Sequence, residues 1–374
     1  MACAPATPVS APPDRSAPTF VLAGRFDIPP LTRFPPAAGP RFGGISGLAA
    51  TRVEGEYLAI SDDQRDSRVY RFRITGTATT FKVALLEYIR LEDSSQRLPQ
   101  LDPESIAIAP DGKLLITSEG IGDVEPRVPP ALLEFGPRGA FLGELALRDR
   151  YAPNPDGPLT KGVRANLGFE SLTMTPDAGK LFLATESALV QDGPEATFDR
   201  GAPVRILEYV RRGGTYEPAR EFVYRVEPIR RPAFEPAFAV NGLVELIALE
   251  DGALLALERS YVAEAARPGR GANRIRLFRI SLAGATDVSA LDSLKDASNP
   301  APVAKVPLLD LSDLDGLGRL APRLDNFEAM AFGPTLPGGR RSLLLVSDDN
   351  FNPTQRTWFL LLGMAEARAR EQIQ

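Results

Sequence analysis

The chain has 374 residues, 24% of them charged and 44% hydrophobic, with a net charge of -5, 35 prolines, 32 glycines, one cysteine and no histidine. This is the composition of a globular protein, and its acidity excludes the basic face by which proteins hold nucleic acid. Without histidine there is no Ser-His-Asp triad, Cys-His pair or histidine zinc site, and a lone cysteine makes no internal disulfide or thiolate cluster.

Residues 1–18 run from Met1-Ala2-Cys3-Ala4-Pro5 through a stretch rich in Ala, Pro, Ser and Thr. Such a stretch has no hydrophobic face to bury and reads as a flexible tether. With the sole cysteine at its start it resembles the mature end of a bacterial lipoprotein. Cys3 would then carry the lipid anchor, after a signal peptide that is not in this sequence. That reading implies the bacterial periplasm, the cell envelope or secretion; the other reading is an incidental cysteine in a tail. Of the basic residues only Lys82, Lys113, Lys161, Lys180, Lys295 and Lys305 are lysine, an arginine bias typical of a GC-rich bacterial genome.

Phe20–Ile28 is the first strand-like segment, and beyond it the chain repeats itself. A short apolar strand, a turn and a second apolar strand recur five times. The copies are Ser46–Ala50 with Tyr57–Asp62, Ser105–Ala109 with Leu114–Glu119, Ser171–Thr175 with Leu181–Glu186, Glu245–Leu249 with Leu254–Glu258, and Glu328–Phe332 with Leu343–Asp348. Asp111-Gly112 and Asp251-Gly252 are hairpin turns. A third strand follows each hairpin: Val69–Ile74, Ala131–Phe135, Arg205–Val210, Arg274–Ile280 and Thr357–Leu362. A fourth follows four of them: Phe81–Arg90, Phe141–Leu147, Glu221–Val226 and Val303–Leu309. The last copy has none, because the chain runs into the charged tail Ala365–Gln374.

The pattern predicts an all-β chain, a single β-propeller of four-stranded antiparallel blades over residues 19–364, with Phe20–Ile28 closing the ring. Five blades are counted, and a sixth exists only if a long loop conceals it. A β-sandwich does not explain a four-strand repeat. Asp287–Asp296 reads as a short helix between outer strands. No apolar run approaches the ~18–20 residues of a membrane-spanning helix. Nothing in the sequence asks for a second copy, so a monomer is expected.

In a propeller the loops entering each innermost strand and leaving the second open on one face. Here that face receives the long connections, including Asp149–Gly168, Ser187–Val204, Val226–Gly242, Arg259–Asn273 and Asp310–Asn326, which makes it the candidate functional face. Near its axis the repeats place Glu104, Glu170 and Glu328 at the starts of innermost strands. Asp62, Asp63, Glu119, Glu186, Asp348 and Asp349 stand where second strands return, with Asn166, Asn326 and Asn350 beside them. Converging carboxylates raise their pKa values, spread apart or share a cation. With histidine and thiolate absent, six to eight oxygens around Ca²⁺ answer this charge, with Glu104, Glu170, Glu328, Asn166, Asn326 and Asp349 as the ligand set. The bland reading is that these acids cap their own blade entrances or pair with Arg164, Arg259 or Arg323. Ser46, Ser105 and Ser171, at matching points of their repeats, read as blade structure rather than nucleophiles.

Asp102-Pro-Glu-Ser105, Arg164-Ala-Asn-Leu-Gly-Phe-Glu-Ser171, Asp325-Asn-Phe-Glu-Ala-Met330 and Ser347-Asp-Asp-Asn-Phe351 together resemble the phytase-like propeller family, labelled "esterase-like activity of phytase", over roughly Phe42 to Gly363. The resemblance implies a calcium-dependent hydrolase of a phosphate or carboxylic ester. In that reading Asp62 or Asp348 accepts the proton of water, and Arg164, with Arg259 or Lys161, holds a small anionic or ester substrate. The calcium-dependent phytase propellers, to which the similarity is more distant, use a lysine-rich phosphate pocket. In this lysine-poor chain Lys161 with Arg41, Arg164, Arg259 and Arg323 would have to serve. The competing expectation is a tethered propeller that binds a small ligand or protein without catalysis, since the fold hosts both.

Overall fold

The computed structural model describes residues 18–34, 39–76, 80–92, 100–267, 269–315, 317 and 324–365; Cys3 and the tether to residue 17, Arg323 and residues 366–374 lie outside the described residues. Five four-stranded antiparallel sheets form the five expected blades. The first is β2 (Ile45–Ala50), β3 (Glu56–Ser61), β4 (Arg68–Thr75) and β5 (Lys82–Arg90). The second is β6 (Pro103–Ile108), β7 (Leu114–Ser118), β8 (Ala131–Phe135) and β9 (Phe141–Leu145). The third is β10 (Phe169–Met174), β11 (Lys180–Thr185), β12 (Ala202–Arg212) and β13 (Thr215–Val226). The fourth is β14 (Pro236–Ala248), β15 (Leu254–Glu264), β16 (Gly271–Ser281) and β17 (Ala304–Asp310). The fifth joins β18 (Asn326–Phe332), β19 (Ser342–Asp348) and β20 (Thr357–Ala365) to β1 (Thr19–Ile28), which pairs antiparallel with β20 from Thr19 opposite Ala365 to Ile28 opposite Thr357. Strands from the two ends of the chain thus share one sheet and close the ring.

Two stretches depart from the expectation. Val226–Gly242 and Arg259–Asn273, read from sequence as loops, are partly strand: β14, β15 and β16 run 13, 11 and 11 residues, where the two inner strands of the other blades run 5 to 7. Their extra length carries few large apolar residues, so it lacks the dense apolar signal of a buried strand. Asp287–Asp296 is not a helix beyond one 3-10 turn at Leu294–Asp296. Instead, Val288 N–H donates to the Glu221 carbonyl and Val303 N–H to that of Val223, covering the outer edge of β13, while Val288 and Leu294 pack on Val223. An unpaired edge invites aggregation, and this clasp removes one.

The core is divided into wedges between neighbouring blades. Leu58, Ile60 and Val69 meet Ile106, Ile116 and Leu133 between the first and second blades. Leu115 and Leu132 meet Leu181 and Leu183 between the second and third. Similar clusters fill the remaining junctions, and the one between the fifth and first blades sets Phe359 edge-on against Phe72 at 5.3 Å. Because β1 completes the fifth blade, this last wedge holds the ring shut. Phe359→Ala removes a fully buried ring there and is expected to lower stability by about 3–5 kcal/mol, read from the urea midpoint of unfolding. A loss below about 1 kcal/mol would show that the closing wedge does not govern cooperativity.

Candidate functional site

Each innermost strand carries a β-bulge, close to its start in β2, β6, β10 and β18 and between Leu243 and Glu245 in the longer β14. The pairing register skips Ser46 in β2, Glu104 together with Ser105 in β6, Glu170 in β10, Val244 in β14 and Glu328 in β18. A bulge re-aims a side chain that regular pleating would send elsewhere. One residue beyond the cross-strand partner of the residue that precedes each bulge stand Asp62, Glu119, Glu186, Arg259 and Asp348. The axis is therefore ringed twice. One ring is Ser46, Glu104, Glu170, Val244 and Glu328; the other is Asp62, Glu119, Glu186, Arg259 and Asp348. The bulges also separate the three serines: Ser46 occupies a ring position, whereas Ser105 and Ser171 lie one residue further on.

Close packing supports this crowding. Gly168 leads into β10, where a Cβ would stand 2.5 Å from that of Glu119, and its N–H donates to Glu119 Oε2 at 2.9 Å. Gly242 gives the same clearance to Glu186, whose Cγ lies 2.1 Å from where its Cβ would be. In the second blade, one carboxylate oxygen each of Asp102, Glu104 and Glu119 lie within 4.8 Å of one another. Gln64 donates to Asp102 Oδ2 at 2.7 Å. Asp62 Oδ1 and Glu186 Oε1 are buried with no hydrogen-bond donor. Arg259 answers part of the charge, donating to Glu328 Oε1 and standing 3.5 Å from Glu186 Oε1.

Burial, then the neighbouring carboxylates Glu328, Asp102 and Asp349, raises Asp62 to about 7. Burial raises Glu186 to about 7 as well, against the pull of Arg259. Glu104, Glu119, Glu170 and Asp348 are pushed well above the usual range, first by burial and then by neighbouring carboxylates, foremost Glu170 on Glu104, Asp102 on Glu119, Glu186 on Glu170 and Asp62 on Asp348. Arg259 is raised as well: burial opposes its charge, but Glu328, Glu186 and Glu170 hold the guanidinium protonated.

Both rings open into a cavity of about 1310 Å³ on the face that receives the long connections. Asp62, Glu104, Glu119, Glu170, Glu186, Glu328, Asp348 and Arg259 form its floor, and Arg164, Asn166, Asn326 and Asn350 stand at its walls. A second cavity of about 760 Å³ shares Asp62, Glu104, Glu119, Asn166 and Asn350, and its far wall includes Arg33, Arg41, Arg65 and Arg68. The structure therefore brings together Asp62, Asp348, Arg164, Arg259, Glu104, Glu170, Glu328, Asn166 and Asn326 from the sequence-derived set.

It does not bring in two others. Lys161 is exposed and lines neither cavity. Asp349, read from sequence as a metal ligand, accepts from the N–H groups of Gly44 at 3.0 Å and Phe351 at 3.1 Å and faces Arg41, so it braces the loop instead. Neighbouring residues at a strand end point to opposite sides, which parts Asp349 from Asp348. Arg164 is fixed by the carbonyls of Ala188 at 3.1 Å and Gly193 at 2.8 Å. Asp102 belongs to the acidic cluster although its motif alone did not single it out as a ligand; the signal was its place two residues ahead of Glu104.

The family model for phytase-like proteins, described as esterase-like activity of phytase, matches residues 40–351. No curated protein is similar enough to the chain to match it. Among solved structures, the α-L-arabinofuranosidase of Podospora anserina is similar at 11% identity and a TM-score of 0.41, covering 94% of this chain and 99% of its own. A gluconolactonase of Xanthomonas campestris is similar at 12% identity and a TM-score of 0.30, covering 92% and 98%. A putative 6-phosphogluconolactonase of Bacteroides uniformis is similar at 14% identity and a TM-score of 0.32, covering 84% and 81%.

The crowding has a measurable consequence. A carboxyl whose folded pKa lies above its unfolded one stabilises the fold fully below the unfolded value, and that contribution is lost as pH rises through the folded value. With Asp62 and Glu186 near 7, the protein in chelating buffer is expected to melt at a lower temperature at about pH 8 than at about pH 5. A flat or reversed profile across that window would mean that the ring charges are compensated within the chain.

Proposed function

The chain belongs to the phytase-like family described by its esterase-like activity, and from that membership and the acid-floored cavity we propose that it is a calcium-dependent hydrolase of an ester. The carrying observation is the carboxylate floor, where oxygens of Asp102, Glu104 and Glu119 converge and Asp62 Oδ1 and Glu186 Oε1 have no donor. One arginine among seven ring carboxylates leaves an excess of buried negative charge, and a hard divalent cation with an all-oxygen shell fits that donor set. Asp102, Glu104 and Glu119 would hold it, with Asp62 and Glu170 next to them. Calcium bound there would polarise the ester oxygen and help to place water.

The chain's own residues supply the remaining steps. Asp62, with Oδ1 free of donors at the cavity floor, accepts the proton of the attacking water. The water oxygen bonds to the acyl carbon or phosphorus, the bond to the alcohol oxygen breaks, and the proton passes to the departing alcohol. The amides of Asn166, Asn326 and Asn350 offer hydrogen bonds to the substrate's oxygens, while Arg164, pinned by two carbonyls and 3.5 Å from Glu195, shapes the wall beside them. Arg259 is engaged by Glu328 and Glu186, so its charge steadies the floor rather than reaching for substrate. Lys161, outside both cavities, has no part in this reading.

Calcium at a hundredfold excess over its Kd should stabilise the chelator-treated protein by about 2.7 kcal/mol, seen as a rise in Tm, alongside turnover of chromogenic esters. Glu104→Gln should abolish the calcium response without lowering the calcium-free Tm, since it removes a repelling charge. Asp62→Asn should lower kcat by roughly a hundred- to ten-thousandfold. No thermal response to calcium would overturn the metal assignment. A response without turnover of any ester would leave a binding propeller.

A further inference from the structure

The fourth blade gives the acidic cavity a wall unlike its floor. Its two innermost strands, β14 and β15, outrun those of the other blades and rise from the ring, with β16 beside them, as a flap. Side chains alternate across a strand, so Phe238, Val240 and Gly242 of β14 share one face. Their cross-strand partners Ala263, Tyr261 and Arg259 of β15 lie on that same face. Tyr261 and Ala263 are matched in turn by Asn273 and Gly271 of β16. This face borders the cavity, from Arg259 at the floor to Phe238 and Gly271 at the rim. The opposite face is anchored, because Ala239 and Val262 pack into the core between the third and fourth blades.

Above Arg259 the cavity-side face is mainly apolar, from the buried Val240 through the half-buried Tyr261 to the exposed Phe238. Phe238 is 58% exposed, although it stands beside a deep cavity rather than on a convex surface. A Cβ on Gly271 would meet the Tyr261 ring at 2.4 Å, so the glycine lets that ring lie across the strand. Leu324 and Leu159 complete the apolar lining. The floor and this wall belong to one cavity, and four residues of β14 at roughly 3.3 Å each put Phe238 about 13 Å above the level of Gly242. A phosphate group would need presented cations. Of the cavity's arginines, however, Arg259 is held by Glu328 and Glu186, Arg164 by two carbonyls, and Arg270 is exposed at the rim.

Resting on the hydrolase reading above, we infer that the fourth-blade flap is the subsite for an apolar substituent of the substrate, which makes carboxylic esters bearing a medium or long hydrocarbon group the preferred class. Water adds to the acyl carbon at the floor, the carbon–oxygen bond to the alcohol breaks, and the hydrocarbon chain lies along Val240, Tyr261 and Phe238. Chain length then sets the rate: each methylene buried against the flap is worth up to roughly fourfold in kcat/KM. Short esters end before they reach Phe238.

The experiment compares 4-nitrophenyl acetate, butyrate and octanoate with 4-nitrophenyl phosphate in calcium buffer, on the full chain and on Phe238→Ser. Binding of N-octylacetamide, a neutral analogue that is not an ester, is followed in parallel by calorimetry at several temperatures. We expect kcat/KM to rise from acetate to octanoate, and the octanoate-to-acetate ratio to fall by roughly tenfold or more in Phe238→Ser. The analogue should bind with a negative heat-capacity change, and Phe238→Ser should weaken it by a similar factor. Ester turnover indifferent to chain length and to Phe238 would overturn the subsite and leave the hydrolase standing. Analogue binding that depends on Phe238, with no ester turned over, would keep the subsite and remove the hydrolase. Faster turnover of the phosphate than of the octanoate would overturn the substrate class.

Discussion

Like charge held out of water is the constraint around which this molecule is arranged. Asp62, Glu104, Glu119, Glu170, Glu186, Glu328 and Asp348 surround one axis, and Arg259 is the single cation placed among them in the rings. Left to itself such a group would push the blades apart. The blades stay together because each junction is a separate apolar wedge and because β1 and β20 tie the two ends of the chain into one sheet. A closed ring cannot relax by opening one edge. Repulsion is therefore held at the centre, where it appears as raised carboxyl pKa values and as oxygens without donors. The cation proposed above would relieve this tension, so the fold and the proposed chemistry share one cause.

How much of this the sequence disclosed follows from the physics of each element. The blades were legible because a strand buried on both sides must be apolar along its length, and five such pairs recur along the chain. The ring acids were legible for a related reason: a repeat that puts Glu104 at an axis puts Glu170 and Glu328 there too. Asp349 was misread because adjacency in sequence says nothing about direction at a strand end, and two backbone N–H groups claim its carboxylate. Lys161 entered by charge alone, and a long loop gives no clue as to which of its residues turns inward. The flap was missed for the opposite reason. Its outer stretch is partly solvated, so small and polar residues interrupt the pattern. Only Phe238 and Val240, two apart and opposite Ala263 and Tyr261, betray the strand, and that signal needs the register to be seen.

The bulges deserve weight in any account of how the rings arise. Regular pleating would alternate the first residues of each inner strand between the axis and the neighbouring blade. One extra residue per strand resets that alternation, so a carboxylate can face the axis while the next residues return to the apolar wedges. The same device recurs in all five blades, yet only three of them spend it on an acid; Ser46 and Val244 occupy the position in the first and fourth. The geometry therefore belongs to the fold, and the charge belongs to the residues chosen to occupy it.

The fourth blade departs from its neighbours in three ways that act together. It puts Val244 where three of the blades put an acid and Arg259 where all four others do, it extends its two inner strands, and it turns an apolar face toward the cavity. A ring of equivalent blades offers no preferred direction of approach. Replacing acids with a valine and an arginine on one side makes that side the least negative part of the floor, and the flap adds the apolar surface above it. An ester is polar at one end and apolar at the other. In the proposed reading, a floor that is acidic on most sides, with one wall that is apolar, would accept such a molecule in one orientation, with its carbonyl at the cation-binding floor and its chain along Tyr261 and Phe238. Breaking the symmetry of the propeller at a single blade is thus enough to turn a ring of charge into a site with a direction.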